Sequence, residues 1–216
     1  MSTALKDRYN LSFFKTFETA LHEVTPKVDT SHLFTQILTD EFKEFELKQR
    51  MYHVTKVLHD VLDKDFPIAC NQLVQVTEAL KQLGIGENFE YMFLPDFVAT
   101  YGLNDFNTSM ETLAKITSFT SAEFAVRPFI IKYPNKAIAK MLEWSSHKDS
   151  KIRRLASEGS RPRLPWAMAL PQLKSDPSPG IPILENLKDD NDEVVRRSVA
   201  NHLTIYAKTT HQLLSH

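Results

Sequence analysis

The sequence predicts an all-α protein whose helices form a repeating array. Apolar residues recur at steps of three and four along most of the 216 residues, and no segment alternates with a period of two between hairpin turns. Prolines divide the chain into segments of roughly 10–18 residues, which is the usual helix length. Because no low-complexity linker interrupts this pattern, we expect one continuous domain over residues 1–216.

Three amphipathic stripes predict helices in the first half of the chain. The first stripe covers Leu11–Val24 and stops before Pro26, which cannot continue a helix. The others cover Leu47–Val61 and Phe66–Leu83, and Gly84 then occupies the position of a C-terminal helix cap.

An internal repeat lies in the C-terminal part of the chain. A shift of 43 residues aligns Met141–Glu158 with Leu184–Asn201, with an acidic loop residue, an apolar residue and an arginine doublet in register. This period and pattern are typical of HEAT-type repeats, which bury their apolar faces only against neighbouring repeats. The predicted fold is therefore an all-α, HEAT-like repeat α-solenoid of about a dozen helices with a concave face.

Composition narrows the function classes. The net charge of -1 excludes a uniformly basic protein, and the single cysteine, Cys70, indicates a reducing compartment. The chain has no apolar stretch of about 18 residues and does not begin with a secretory signal, so we expect a cytoplasmic protein that does not span a membrane. Zinc-binding, nucleophile-elbow and phosphate-loop motifs are absent, and we expect neither a metal nor a cofactor.

The C-terminal third is basic. Residues 151–216 contain 10 Lys and Arg against 7 Asp and Glu, a net charge of +3, whereas residues 1–150 carry -4. This asymmetry predicts that one end of the array binds an anion. The first arginine of each doublet has a structural interpretation, because HEAT repeats commonly pair it with the preceding loop aspartate. The expected pairs are Arg153 with Asp149 and Arg196 with Asp192.

The second arginines, Arg154 and Arg197, lie about 100° further round the helix. Together with Arg161 and Arg163 they form the candidate DNA-binding set, because guanidinium groups bind phosphate oxygens bidentately. A solvated charged rim is the alternative interpretation.

The segment Ala156–Trp166 is the most unusual string of the sequence. Two prolines stiffen it, and Trp166 follows as a candidate stacking platform for a sugar or base, or alternatively as a hydrophobic plug between helices. Glu158 is either an ion-pair partner of the nearby arginines or a carboxylate that stabilises a cation.

Three ordered motifs, Ser121–Phe129, Arg154–Trp166 and Val195–Asn201, resemble the AlkC/AlkD DNA alkylation repair family and are closest to its AlkC branch. The resemblance implies a HEAT-like solenoid that holds duplex DNA in its concave face. It also implies a glycosylase that excises N3- or N7-alkylated purines without flipping them. Many AlkC-type proteins carry a C-terminal immunoglobulin-like domain, which we expect this chain, ending at His216, to lack.

The resemblance assigns candidate catalytic residues. Glu123 and Glu158 match acidic positions of the AlkC pattern and Trp166 matches its aromatic position, whereas Ile205 stands where the family commonly has aspartate. If Val199 and Leu203 marked the buried stripe of this helix, Ile205 would project from the opposite side.

We therefore expect a monomeric protein that binds duplex DNA, alkylated duplexes included, and whose glycosylase activity is weak or lost. Two alternatives stay open. One is an active alkylpurine glycosylase in which the two glutamates suffice, and the other is a HEAT-type protein-interaction scaffold.

Overall fold

A computed structural model describes residues 5–30 and 33–214. The described residues form thirteen α-helices and three short 3-10 helices and contain no β-strand, which confirms the all-α prediction. They divide into two compact units, residues 1–121 and 122–216, each of which is described by itself. The single domain expected over residues 1–216 stays a prediction. No described helix combines the length and apolar character needed to cross a membrane.

The first unit contains seven α-helices and two 3-10 helices, Leu5–Arg8 and Phe89–Met92. The α-helices are α1 (Leu11–Val24), α2 (Leu33–Ile37), α3 (Asp40–Glu44), α4 (Leu47–Val61), α5 (Phe66–Gln82), α6 (Phe93–Tyr101) and α7 (Phe106–Ile116).

The three stripes found in the sequence correspond to α1, α4 and α5. Asn10 caps α1 by accepting a hydrogen bond from the Phe13 amide, and the apolar face of α1 packs against α5. Gly84 follows α5 with φ of 78°, a left-handed conformation that glycine adopts without a steric penalty. The predicted helices and the predicted cap are confirmed.

The second unit contains six α-helices and the 3-10 helix Ser178–Gly180. The α-helices are α8 (Arg127–Lys132), α9 (Pro134–Trp144), α10 (Ser150–Gly159), α11 (Pro171–Ser175), α12 (Ile181–Leu187) and α13 (Glu193–Leu214).

The 43-residue repeat is present in the second unit. The ends of α9 and α12, at Trp144 and Leu187, are 43 residues apart, as are the first residues of α10 and α13, Ser150 and Glu193. Helix α10 packs against both α9 and α13, so the two helix pairs share one apolar core. The repeat is confirmed at the level of helix boundaries.

The first arginines of the doublets are structural, but their predicted partners are wrong. Arg153 binds the carboxylate of Asp190 bidentately, with Nε–Oδ2 and Nη2–Oδ1 distances of 2.6 and 2.8 Å. Arg196 donates to the Asp190 carbonyl. The preceding aspartates, Asp149 and Asp192, instead cap the first turns of α10 and α13. The ion pair thus links one repeat to the next rather than closing a loop within a repeat.

Candidate nucleic-acid interface

The loop between α10 and α11, residues 160–170, presents Trp166 to solvent. Trp166 is 61% exposed and has φ of 63°, the one non-glycine residue with positive φ in the described part of the chain. The buried side chains of Leu164 and Leu170 anchor the loop on either side of it. The interpretation of Trp166 as a buried plug is therefore wrong, because its ring lies outside the core.

The guanidinium of Arg127 binds the main chain of this loop. This residue begins α8, its side chain is fully buried, and it donates hydrogen bonds to the carbonyls of Gly159, Arg161, Pro162 and Met168. Sequence reasoning assigned it no role. The available signal was an arginine among apolar residues in the Ser121–Phe129 motif, in a position where a solvated charge is unusual.

Glu158 is buried and ion-paired. Its Oε2 atom lies 2.7 Å from Nη1 of Arg161, and the two side chains are 6% and 11% exposed. Of the two interpretations considered for Glu158, the structure shows the ion-pair partner. Because the pair is shielded from water, its electrostatic interaction is stronger than that of a surface pair.

Glu123 forms a second ion pair of the same kind. It lies in the turn before α8, and its Oε2 atom accepts a hydrogen bond of 2.9 Å from Nη1 of Arg154. Both side chains are mostly buried, at 15% and 29% exposure. The first arginine of the candidate DNA-binding set is thus shared with a candidate catalytic carboxylate.

These charged groups surround Arg127. Burial lowers the pKa of Arg127 to about 10, and the neighbouring charge of Arg161 acts in the same direction. The carboxylates of Glu123 and Glu158 oppose this shift. Arg127 therefore remains cationic at neutral pH, and both candidate carboxylates lie within its electrostatic reach.

The other two arginines of the candidate set are exposed. Arg163 lies on the loop that carries Trp166. Arg197 lies on α13, where it forms an exposed i,i+4 pair of 2.6 Å with Glu193. Exposed pairs of this kind contribute little to stability, so the guanidinium of Arg197 can exchange its partner for a phosphate at small cost.

Ile205 does not lie opposite the buried stripe of α13. The stripe runs through Val199, His202 and Tyr206, whereas Leu203 is 49% exposed. The prediction based on Leu203 is therefore wrong, and Ile205 is half-buried at the edge of the stripe. Its side chain is therefore partly covered by the protein and does not project fully into solvent.

His202 forms the centre of that stripe and is fully buried. Burial lowers its pKa to about 3, and the positive charge of Arg161 lowers it as well. The imidazole is consequently neutral at physiological pH, and its ring packs against Tyr206 with centroids 4.6 Å apart. Within the described residues, no group of three or more His, Cys, Asp or Glu side chains is arranged to hold a metal ion.

The proteins to which this chain is similar include two that match almost its whole length, although no family model matches it. The uncharacterized protein YhaZ of Bacillus subtilis (strain 168) is 39% identical over 210 residues, which make up 97% of this chain and 57% of YhaZ. The second is the Pseudomonas fluorescens alkylpurine DNA glycosylase AlkC, whose structure was solved bound to DNA containing an abasic site analog. It shares 36% identity and superposes with a TM-score of 0.89 over 96% of this chain and 57% of that protein.

The chain thus spans little more than half the length of either relative. The matched region nevertheless covers 96–97% of this chain. In sequence and in its all-helical, HEAT-like repeat fold, the chain resembles the AlkC branch of the AlkC/AlkD DNA alkylation repair family.

Proposed function

We propose that this protein binds duplex DNA at alkylated purines through the surface around Trp166, with glycosylase activity that is weak or lost. The observation that carries the proposal is an exposed tryptophan on an anchored loop, in the same unit as two ion-paired glutamates, in a chain similar to a DNA-bound alkylpurine glycosylase. We further propose that it acts as a monomer. The buried, free thiol of Cys70 fits a reducing cytoplasmic compartment.

The expected chemistry requires negative potential near the deoxyribose. An alkylated purine is already cationic and leaves readily, so the enzyme needs to stabilise the positive charge that develops on the sugar and to position a water molecule. In this chain Glu123 and Glu158 are each neutralised by an arginine at hydrogen-bonding distance, and the third position holds the apolar Ile205. Both features support weak excision.

DNA binding depends less than base excision on the ion-paired glutamates and on Ile205. The second unit carries a net charge of +5 and the first unit -6, a sharper asymmetry than the sequence division suggested. Arg163 and Arg197 are the best-exposed members of the candidate set for phosphate contacts, whereas Arg161 is committed to Glu158. We propose Arg154 as a contact that shares its guanidinium between Glu123 and the DNA.

The presence of both glutamates favours a second candidate, an active glycosylase for N3- or N7-alkylated purines. Two assays separate the candidates. The release of 7-methylguanine and 3-methyladenine from alkylated duplex DNA measures excision. Fluorescence anisotropy with an abasic-analog duplex and an undamaged duplex of the same sequence measures binding.

We expect little or no base release and tighter binding to the abasic-analog duplex. Replacing Trp166→Ala should reduce the ratio of the two affinities about 5- to 150-fold, the equivalent of the ~1–3 kcal/mol that one aromatic stacking contact, here with the exposed sugar or a neighbouring base, contributes. Met168→Ala is the matched control, because Met168 is 49% exposed on the same loop. Rapid base release would instead establish the active enzyme, and no binding at low salt would favour the protein-interaction scaffold.

A further inference from the structure

Arg127 is the largest fully buried side chain among the described residues. A guanidinium carries a permanent charge at neutral pH, and removing it from water is costly unless its N–H groups are satisfied. Arg127 begins the short helix α8, and Pro128, the next residue, has a fixed φ that suits the first turn of a helix. The cost of burying this charge is offset only where the surrounding structure supplies hydrogen-bond acceptors.

All the hydrogen bonds that satisfy Arg127 end on main-chain carbonyls. Nε donates to Met168 over 2.5 Å, and Nη1 donates to Gly159 and Arg161 over 3.1 and 2.8 Å. Nη2 donates to Pro162 over 3.4 Å. One planar guanidinium therefore joins the C-terminal end of α10 to both sides of the loop 160–170.

One of these acceptors, the Gly159 carbonyl, belongs to the last residue of α10, and a second, the Arg161 carbonyl, lies two residues beyond it. The last carbonyls of a helix have no partner within the helix and carry partial negative charge, so a buried cation stabilises them. The other two acceptors, at Pro162 and Met168, flank the turn that contains Trp166. The Leu170 amide closes the base of the same turn by donating to the Pro162 carbonyl over 2.9 Å.

The turn that Arg127 closes is strained at its tip. A bulky residue with φ of 63°, as at Trp166, lies in a sparsely populated region and persists only where the surrounding structure fixes it. The Ala167 amide closes the turn around Trp166 by donating to the Leu164 carbonyl over 3.1 Å, and further constraint comes from the ends of the loop. Arg127 and the bond between Leu170 and Pro162 are the hydrogen bonds that join those ends.

We propose that Arg127 is the positioning residue for Trp166. By binding the four carbonyls it holds the loop 160–170 in the one conformation that presents the indole ring, and it thereby determines how well the protein distinguishes damaged from undamaged duplex DNA. Arg127 does not touch the DNA. The part of this inference that concerns DNA rests on the proposed function, whereas the part that concerns the loop does not.

An arginine is required for this role because of its shape. The guanidinium presents five donors in a rigid plane, whereas a lysine ammonium is a single centre that cannot reach four carbonyls on different sides. Arg127→Lys keeps the charge and most of the apolar stem but loses the planar array of five N–H donors. It is therefore the variant that tests positioning rather than charge.

The first unit offers a matched control. Arg50 is 7% exposed and donates to the carbonyls of Phe45, Lys6 and Lys43, so it is a second buried guanidinium that binds only main-chain oxygens. Arg50→Lys removes the same kind of guanidinium group in a part of the chain that does not carry Trp166. Any effect common to both variants reports general destabilisation.

The experiment measures hydrogen exchange in the peptide that covers residues 160–170 and binding to the abasic-analog and undamaged duplexes. In wild type we expect the Leu170 amide to be protected. Arg127→Lys should accelerate exchange in this peptide and reduce the ratio of the two affinities about tenfold, while binding to the undamaged duplex changes less than about twofold. Arg50→Lys should leave both the exchange of this peptide and the affinity ratio at wild-type values.

Unchanged exchange of the loop in Arg127→Lys would overturn the proposal, and so would an equal loss of discrimination in both variants. If Arg127→Lys does not fold, wild type decides the matter, because an unprotected Leu170 amide shows that the loop is not held. If wild type binds neither duplex, the proposed function fails, and the exchange data still test the loop.

Discussion

Ile205 illustrates how one residue affects both packing and chemistry. It stands at the position where the AlkC-branch motif commonly has aspartate, and it is half-buried beside His202 on α13. An apolar side chain there cannot orient water or offset a positive charge. Its partial burial nevertheless means that a carboxylate at this position would lose some solvation, which raises the pKa of an aspartate.

We expect Ile205→Asp to raise the rate at which 7-methylguanine is released from alkylated duplex DNA. A positioned acid or base contributes roughly 10²- to 10⁴-fold, and the gain should fall at or below the lower end because of the partial burial. Ile205→Asn is the matched control, because it has the same shape without the charge. Equal rates in the two variants would contradict a role for the carboxylate.

Single residues also show what the sequence could not reveal. The pairing of Glu158 with Arg161 is local, three residues apart in one chain segment, and the sequence interpretation included it. The contacts of Arg127 reach 32 to 41 residues along the chain, so no local pattern indicates them. Leu203 misled the interpretation because helical periodicity identifies a stripe but does not say which of two adjacent apolar rows is buried.

Among the secondary-structure elements, the long amphipathic helices and the 43-residue repeat were predictable and the short helices were not. Helices α2, α3 and α11 have five residues each, less than two turns, and cannot show a period of 3.6. The repeat could be found in the sequence because its acidic loop and arginine doublet recur in the same register. The ion pair between the repeats could not be predicted from the sequence. An aspartate before a helix can either cap that helix or pair with an arginine, and the sequence does not say which of several loop aspartates does which.

The pair of Arg153 and Asp190 should couple the two repeats energetically. Its side chains are 17% and 6% exposed and its geometry is bidentate, so a double-mutant cycle to alanine, followed by urea unfolding, should give a coupling energy of about 1–3 kcal/mol. The exposed pair of Arg197 and Glu193 is the control and should give about 0.3–0.5 kcal/mol.

This coupling should depend on pH in a defined direction. The hydrogen bonds from Arg153 lower the pKa of Asp190, so the carboxylate is more acidic in the folded than in the unfolded protein. The stabilisation is then complete above the unfolded pKa of about 3.9 and is lost as the pH falls through the lower folded value. A coupling energy equal to that of the control pair at pH 7 would show that the ion pair does not link the repeats.

At the scale of the whole molecule, the two units differ in net charge. The first unit carries -6 and the second +5, although the complete chain is close to neutral. A net charge near zero therefore conceals a basic half that suits a polyanion and an acidic half that does not. This is why composition alone excluded a basic protein without excluding a DNA-binding one.

The salt dependence of DNA binding measures this basic half. If four to six phosphates are contacted, the logarithm of the binding constant should fall with the logarithm of salt concentration with a slope of about -4 to -5. Arg163→Ala and Arg197→Ala should each reduce the slope by about one, whereas Lys15→Ala, an exposed change on α1 in the acidic unit, should leave it unaltered. A flat response would favour the protein-interaction scaffold.

The way Arg127 binds its loop has a consequence for how lesion preference can diversify. Because every acceptor of Arg127 is a main-chain oxygen, exchanging the exposed side chains at Arg163, Trp166 and Met168 removes none of the hydrogen bonds that Arg127 donates to the loop. Asparagine, aspartate and glycine would adopt the backbone conformation at position 166 at lower cost than the tryptophan. The loop is thus a site where natural variation or a directed library can change the chemistry presented to DNA while the scaffold beneath it stays constant.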